Sequence, residues 1–219
     1  MIKQKKKLIF WDWNGTLLDD VHICINIINL MLQKRSLPLI DLQEYRDAFT
    51  FPVKEYYEKL GFDFEAESFD ISANEFIDLY SKHLYNADLH ENVYETLEYF
   101  KDMGFEQYIL SAMEHNMLND IIRSKGIESF FNEIAGIKDI YANSKLYIVN
   151  KLMDKLNVNS GNIVFVGDTL HDYEIADYFG FHSVLLTHGH QSKERLDSSG
   201  AIIRDDFSNF REVIISIFE

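Results

Sequence analysis

The stretch LIFWDWNGTLLDD, residues 8–20, passes without a break from an apolar run into a cluster of acids. Leu8, Ile9, Phe10 and Trp11 are apolar without alternation, the pattern of a central parallel strand covered on both faces. A buried strand is therefore expected over residues 7–11, with Asp12 at its carboxyl end. An open parallel sheet binds its ligands outside the carboxyl ends of the strands, which makes Asp12 the first candidate for chemistry. Two residues later stands an amide, Asn14, followed by Gly15 and Thr16.

Outward from this stretch the texture changes twice. Apolar periodicity predicts helices over residues 21–34, 42–49, 53–60 and 69–85, punctuated by Pro38, Pro52 and Gly61. From His90 onward helices are expected over 93–103, 116–124, 145–156, 172–179 and 210–218. Strands are expected among them over 107–110, 131–137, 163–166, 183–186 and 201–203. Strands separated by helices of that length imply parallel β-α-β units. The economical architecture is α/β: a doubly wound, Rossmann-like parallel sheet with an α-helical cap inserted after its first strand. The core would comprise residues 1–19 and 88–219, and the cap residues 20–87.

The 219 residues are enough for such a core with a smaller insertion, and 47% hydrophobic with 26% charged residues is ordinary globular usage. A formal charge of -15 disfavours nucleic acid, which requires a basic surface. A small phosphorylated substrate remains compatible if a divalent cation and one or two lysines reverse the field locally. The single cysteine, Cys24, lies in a helical apolar pattern and reads as a core residue; without an internal disulfide the chain suits a reducing cytoplasm. The start MIKQKKKLIF is basic and then apolar, but Asp12 interrupts it, so neither a signal peptide nor a membrane span is expected. No heptad pattern demands a partner, and a monomer or weak homodimer is expected.

The residues that follow the expected strands belong together. Asp12 follows the first, Ser111 the second, and Gly167, Asp168, Thr169, Leu170, His171 and Asp172 follow the strand at 163–166. Lys145 opens the preceding helix. Asp12, Asp168 and Asp172 would converge at one sheet edge, where mutual repulsion raises their pKa values unless a cation neutralises them. A set of oxygen ligands suits Mg²⁺. That ion, Lys145 and the Ser111 hydroxyl could hold three phosphate oxygens, with backbone N–H groups around Gly15 as further donors.

In this combination the chain resembles the haloacid dehalogenase superfamily, in its phosphoglycolate phosphatase-like branch with a helical cap. The family's first motif, Asp-x-Asp-Gly-Thr-Leu-x-Asp, is matched by Asp12, Gly15, Thr16, Leu17 and Asp19 but not by Asn14. Its second, a Ser or Thr closing a strand, is matched by Ser111. Its third, a Lys, is matched by Lys145, and its fourth, Gly-Asp-x-x-x-Asp, by Gly167, Asp168 and Asp172. The resemblance implies that Asp12 attacks phosphorus and that Mg²⁺ is held by Asp12, the Asn14 backbone carbonyl and Asp168, with Asp172 orienting through a bound water or Lys145. It also implies that Gly15, Thr16, Ser111, Ala112 and Lys145 bind the transferring group beneath a closing cap.

The family places an acid at position 14 to protonate the leaving oxygen, and Asn has no proton to exchange. Such help is worth roughly 10²- to 10⁴-fold, or about 3–5 kcal/mol of barrier. The activity expected is a Mg²⁺-dependent hydrolysis of a small phosphorylated metabolite through an aspartyl-phosphate. It would be slow, confined to good leaving groups such as acyl or aryl phosphates, or assisted by a substitute acid: His171, Asp20 or a cap residue. Two alternatives stand beside it. One is carbon-phosphorus cleavage, which needs a Schiff-base lysine from among Lys34, Lys54, Lys59 and Lys82. The other is a non-catalytic protein that binds a phosphometabolite. Lys54 lies where the family's selecting loop sits and is a candidate partner for an anionic part of the substrate. His188 and His190 read as loop residues rather than zinc ligands, and Asp20 as a favourable acid at a helix start.

Overall fold

The computed structural model describes residues 6–137 and 145–219. Strand β1, Leu8–Trp11, lies inside a six-stranded sheet, and all four of its side chains are fully buried. Leu8 and Phe10 enter one apolar cluster with Tyr108, Leu110 and Phe165, while Ile9 and Trp11 enter the other with Ile109, Val164 and Val166. Successive side chains point to opposite faces and both faces are covered, which is why the run is apolar throughout.

The remaining strands of this sheet are β4 (Glu106–Glu114), β5 (Glu133–Ile137), β6 (Ile163–Gly167), β7 (His182–Leu186) and β8 (Ile202–Arg204). The order is β5-β4-β1-β6-β7-β8 with every pairing parallel. The chain moves outward from β1 through β4 to β5, then returns to the other side of β1 for β6. The carboxyl ends of β4, β1 and β6 therefore surround a topological switch point. Around the sheet lie α5 (Val93–Asp102), α6 (His115–Ser124), α7 (Lys145–Lys155), α8 (Leu170–Phe179), the short α9 (Lys193–Leu196) and α10 (Phe210–Ile217).

The helical cap follows β1. It holds α1 (Val21–Lys34), α2 (Leu42–Ala48), α3 (Val53–Lys59) and α4 (Phe69–His83). At its root β2 (Leu18–Asp19) pairs antiparallel with β3 (Asp88–Leu89). Helix α1 buries Val21, Cys24, Ile28, Met31 and Leu32 along one stripe, so Cys24 is a core residue.

Some boundaries differ from the sequence reading for identifiable reasons. Strand β4 runs on to Glu114 through a register irregularity between Leu110 and Glu114, so Ser111 sits within the strand rather than after it. A bulge carries no periodic signal. Helix α8 begins at Leu170, two residues before the expected start, because Thr169 and Asp172 form a reciprocal capping box. The two-residue strands β2 and β3 and the single turn of α9 are too short for periodicity to show. No described helix is long and apolar enough to cross a membrane. Residues 1–5, in the basic start, lie outside the described residues.

Candidate active site

Asp12 extends the pairing of β1 by one bond, its N–H donating to the Val166 carbonyl at 2.8 Å. This fixes its carboxylate beside the end of β6. Lys145, the first residue of α7, reaches it: Nζ lies 2.8 Å from Asp12 Oδ1 and 2.6 Å from Asp172 Oδ1. The other Asp172 oxygen accepts from the Thr169 hydroxyl at 2.7 Å and from the Thr169 N–H at 3.1 Å. Ligand atoms of Asp12, Asp168 and Asp172 all lie within 4.8 Å of one another, and all three residues are buried.

The charges are unequal. Burial pushes the Asp12 carboxyl well above the usual range against the pull of Lys145, and the negative charges of Asp172 and Asp168 add to the rise. Burial likewise raises Asp168, although the His190 charge opposes it. Burial resists ionisation of Asp172, but Lys145 and the Thr169 hydroxyl hold that carboxyl below its ordinary value. Lys145 is raised despite burial because two carboxylates embrace it. A donor set made entirely of oxygens with surplus negative charge fits a hard divalent cation.

Asp168 is held from both sides. Its Oδ1 accepts from the Thr16 hydroxyl at 2.9 Å and its Oδ2 from the His190 N–H at 2.6 Å. Gly15, at φ +70, lies so close that a Cβ there would stand 2.4 Å from Asp168 Oδ2. The Gly15 N–H donates to Asp20 Oδ1 at 2.9 Å and to the Leu18 carbonyl at 3.0 Å. The Gly15 N–H and the Thr16 hydroxyl thus position neighbouring acids, and neither residue is among those lining the cavity. Ser111 does line the cavity with Ala112, its hydroxyl accepting from the Met113 N–H at 3.0 Å.

Around Asn14 the structure is tightly closed. Asn14 Nδ2 donates at 2.7 Å to Asp20 Oδ2 and at 2.7 Å to the Tyr80 hydroxyl, which itself donates to Asp20 Oδ2 at 2.6 Å. An ionised carboxylate only accepts, so this contact fixes which end of the amide faces Asp20, and both amide protons are engaged. His190 Nε2 lies 3.4 Å from Asp20 Oδ1, and His190 Nδ1 is 2.9 Å from the Tyr45 hydroxyl. Burial works against the His190 charge, yet Asp20 and, behind it, Asp168 and Asp12 lift its pKa to about 9. Burial also resists the charge on Asp20, but His190, Tyr80 and Asn14 hold it below the usual carboxylate range. Asp20 occupies the N-cap position of α1 without a side-chain cap bond, so its carboxylate joins cap to core instead of serving the helix.

The family model described as "Haloacid dehalogenase-like hydrolase" matches residues 9–186. The chain belongs to this family. It is similar to the phosphoglycolate phosphatase of Aliivibrio fischeri, at 24% identity over 95% of this chain and 96% of that one. It is similar also to the phosphoglycolate phosphatase of Vibrio parahaemolyticus, at 26% identity with 98% of each chain covered. Its fold matches that of a haloacid dehalogenase-like hydrolase from Streptococcus pneumoniae with a TM-score of 0.81, at 19% identity, covering 98% of this chain and 99% of the other.

In this hydrolase a cavity of about 400 Å³ opens between core and cap, lined by Asp12, Asn14, Ser111, Ala112, Lys145 and Thr169 at its core end. Lys54 is not among its walls: the ammonium lies 5.7 Å from the Phe64 ring centroid and 3.9 Å from Glu58. His171 also stands outside, its ring 5.1 Å from Phe51 and its Nδ1 3.6 Å from Glu174; burial and Lys145 hold it below its ordinary value. Neither His171 nor the ionised Asp20 is placed as the substitute acid considered from the sequence.

Sequence reasoning passed over His190, treating it as an ordinary loop residue. It is in a loop, but buried against Asp20 and Tyr45. The loop around it holds the cap. Arg46 donates to the carbonyls of Gly189 (2.9 Å) and His188, and Gln191 Nε2 donates to the Phe49 carbonyl at 3.0 Å. No motif marked this loop; the one available signal was the short Thr-His-Gly-His-Gln run following β7.

Proposed function

We propose that this hydrolase is a Mg²⁺-dependent phosphatase acting on a small phosphorylated molecule, with Asp12 as nucleophile. The observation that carries the reading is the convergence of Asp12, Asp168 and Asp172 on one point with Lys145 between two of them. The similarity to curated phosphoglycolate phosphatases supports the same chemistry. Residues 20–87 are the cap in this reading, and residues 1–19 with 88–219 the core.

An Asp12 oxygen forms a bond to phosphorus while the bond from phosphorus to the leaving oxygen breaks, giving an aspartyl-phosphate and the released alkoxide or phenoxide. Water then attacks phosphorus, returning the Asp12 carboxylate and inorganic phosphate. Lys145 neutralises part of the charge on the transferring group, and the Ser111 hydroxyl binds one of its oxygens. Asp12, Asp168 and the Asn14 carbonyl would hold Mg²⁺, which when bound offsets the repulsion between carboxylates and the incoming phosphate. Asp172 positions Lys145 and caps α8.

Asn14 does not supply a proton in this scheme, and its two N–H groups are already committed to Asp20 and Tyr80. The leaving oxygen therefore departs unprotonated or takes a proton from solvent. Positioning and charge stabilisation dominate in a loose phosphoryl transition state, so useful catalysis survives. The test is release of inorganic phosphate from an aryl and an alkyl monophosphate with and without Mg²⁺. Metal-dependent release that vanishes in Asp12→Ala is expected. Binding without release, and without capture of beryllofluoride at Asp12, would instead mark a phosphometabolite-binding protein.

A further inference from the structure

The two ends of the cavity differ in chemistry. The core end is built of Asp12, Ser111 and Lys145, whereas the cap end is walled by Phe49, Phe51, Tyr56, Phe69, Phe76 and Ile77. Eight of the lining residues in all are aromatic, counting Tyr45, Tyr57 and Tyr80 with five of these. Lys145 is the one lysine or arginine lining the cavity among the described residues, and it already lies between Asp12 and Asp172.

No lysine or arginine of the described cap lines the cavity, and four of them are engaged elsewhere. Arg35 pairs with Glu67 and Glu75 while lying over the Phe62 ring; Lys34 pairs with Glu75; Lys54 lies over Phe64; and Arg46 holds the backbone of His188 and Gly189. Acidic Asp20 and Glu114 also line the cavity, and His190, the other cationic side chain there, is already paired with Asp20. A substrate carrying a carboxylate beyond its phosphate would bring that second charge against apolar rings and two acids. Desolvating such a charge without a partner is costly.

Resting on the phosphatase reading for the group at Asp12, we infer that the substrate is a phosphate monoester of an apolar, ring-bearing alcohol or phenol, not a phosphorylated carboxylic acid such as phosphoglycolate. The size agrees: a cavity of roughly 150 Å³ accepts a benzene ring, and this one, at about 400 Å³, has room for a phosphoryl group with one or two rings. Aromatic walls favour a planar group through offset and edge contacts. The same class suits the amide at position 14. A phenolate leaves without protonation far more readily than an alkoxide, so binding and leaving-group chemistry select one kind of ester.

The experiment separates recognition from turnover. Calorimetry on the wild-type protein with Mg²⁺ compares phenylphosphonate and 2-naphthylphosphonate with phosphonoacetate, none of which can be hydrolysed at an ester bond. The arylphosphonates are expected to bind at least 30-fold tighter, equivalent to about 2 kcal/mol at 1.4 kcal/mol per decade. Phe76→Ala should weaken the aryl ligands by roughly tenfold and leave phosphonoacetate unchanged. Phosphonoacetate binding as tightly as the aryl ligands, or a Phe76→Ala loss shared equally by both kinds, overturns the inference. Turnover is read separately with phenyl, propyl and hexyl phosphate and with phosphoglycolate. The two alkyl esters share one leaving-group acidity, so a higher kcat/KM for hexyl reads the apolar wall alone. Failure to release phosphate from any ester removes the phosphatase reading, and the phosphonate ranking still decides the chemistry of the cavity.

Discussion

Around Asp12 three buried carboxylates face one lysine, whereas around Asp20 a single carboxylate faces a histidine, a tyrosine, an amide and a backbone N–H. Both clusters are buried and touch the same loop after β1, yet burial prevails at Asp12 and raises it, whereas at Asp20 the contacts to His190, Tyr80 and Asn14 overcome burial and lower it. Donors are short around the first acid and plentiful around the second. A site left electrostatically incomplete is prepared for a ligand, and one that is complete is prepared to stay as it is. On this reading Asp12 works and Asp20 holds the cap to the core.

The sharpest way to break the comparison is to remove each acid in turn. Asp12→Asn should reduce phosphate release by on the order of 10⁴-fold or more, as loss of a nucleophile does. Its thermal stability without metal should equal or exceed that of the wild type, because a carboxyl whose charge burial opposes, with Asp172 and Asp168 adding repulsion, is replaced by a neutral amide. Mg²⁺ at about a hundred times its dissociation constant stabilises a folded protein by roughly 2.7 kcal/mol, and this protection should shrink in the variant. Paired melting curves with EDTA and with Mg²⁺ check both statements. Asp20→Ala should show the opposite balance, losing roughly 3–5 kcal/mol because a buried partner of His190 is gone. Equal stability losses in the two variants would dissolve the distinction between the clusters.

A pH titration of the melting temperature, run on the wild type beside Asp12→Asn so that the raised Asp12 carboxyl is accounted for, reads the second cluster. In chelator, the folded pKa of His190 is about 9, above the roughly 6.5 of an unfolded chain. The raised value means that its contribution, on the order of 3 kcal/mol, is fully present below about pH 6.5 and is lost as the pH rises through about 9. His190→Gln should flatten that slope while leaving the acid limb in place. A wild-type profile that is level between pH 6.5 and 9 would show that the imidazolium and Asp20 are not paired as described.

The fold was largely legible because its cues are local. The unbroken apolar run of Leu8 to Trp11, the helices ended by Gly104, Gly126 and Gly180, and the strand-helix alternation after His90 all depend on neighbours in sequence. The candidate acids were also legible, since Asp12 and Asp168 directly follow strands and Asp172 lies four residues beyond Asp168. What escaped was the chemistry of long-range contact. His190 meets Asp20 across 170 positions, Tyr80 meets Asn14 across 66, and nothing in either neighbourhood announces the other. The neighbours of Lys54 were hidden for the same reason: Phe64 and Glu58, beside it in space, carry no mark in the sequence around it. Nor does the glycine-containing loop after β1 announce that the Gly15 N–H goes to Asp20 and the Thr16 hydroxyl to Asp168.

Asn14→Asp tests whether the two clusters can be made alike. A carboxylate in place of the amide would lie about 2.7 Å from Asp20 Oδ2, the distance that Nδ2 now spans. Two carboxylates this close cannot both ionise readily, so the pair should retain a shared proton and a raised apparent pKa. That proton is bound more tightly in the folded than in the unfolded state, so the variant should come nearest the wild type below about pH 4, where the unfolded carboxyls are protonated too. As the pH rises from there to the pair's apparent pKa it should fall behind by about 1–2 kcal/mol. The retained proton is also the one the leaving oxygen lacks in the wild type. Alkyl phosphates should therefore gain roughly tenfold or more in kcat, and phenyl phosphate much less, because a phenolate needs little help. An equal gain for both esters would mean that position 14 acts through binding rather than through proton transfer, and a loss for both would mean that the Asn14 bridge to Tyr80 is needed to hold the cap closed.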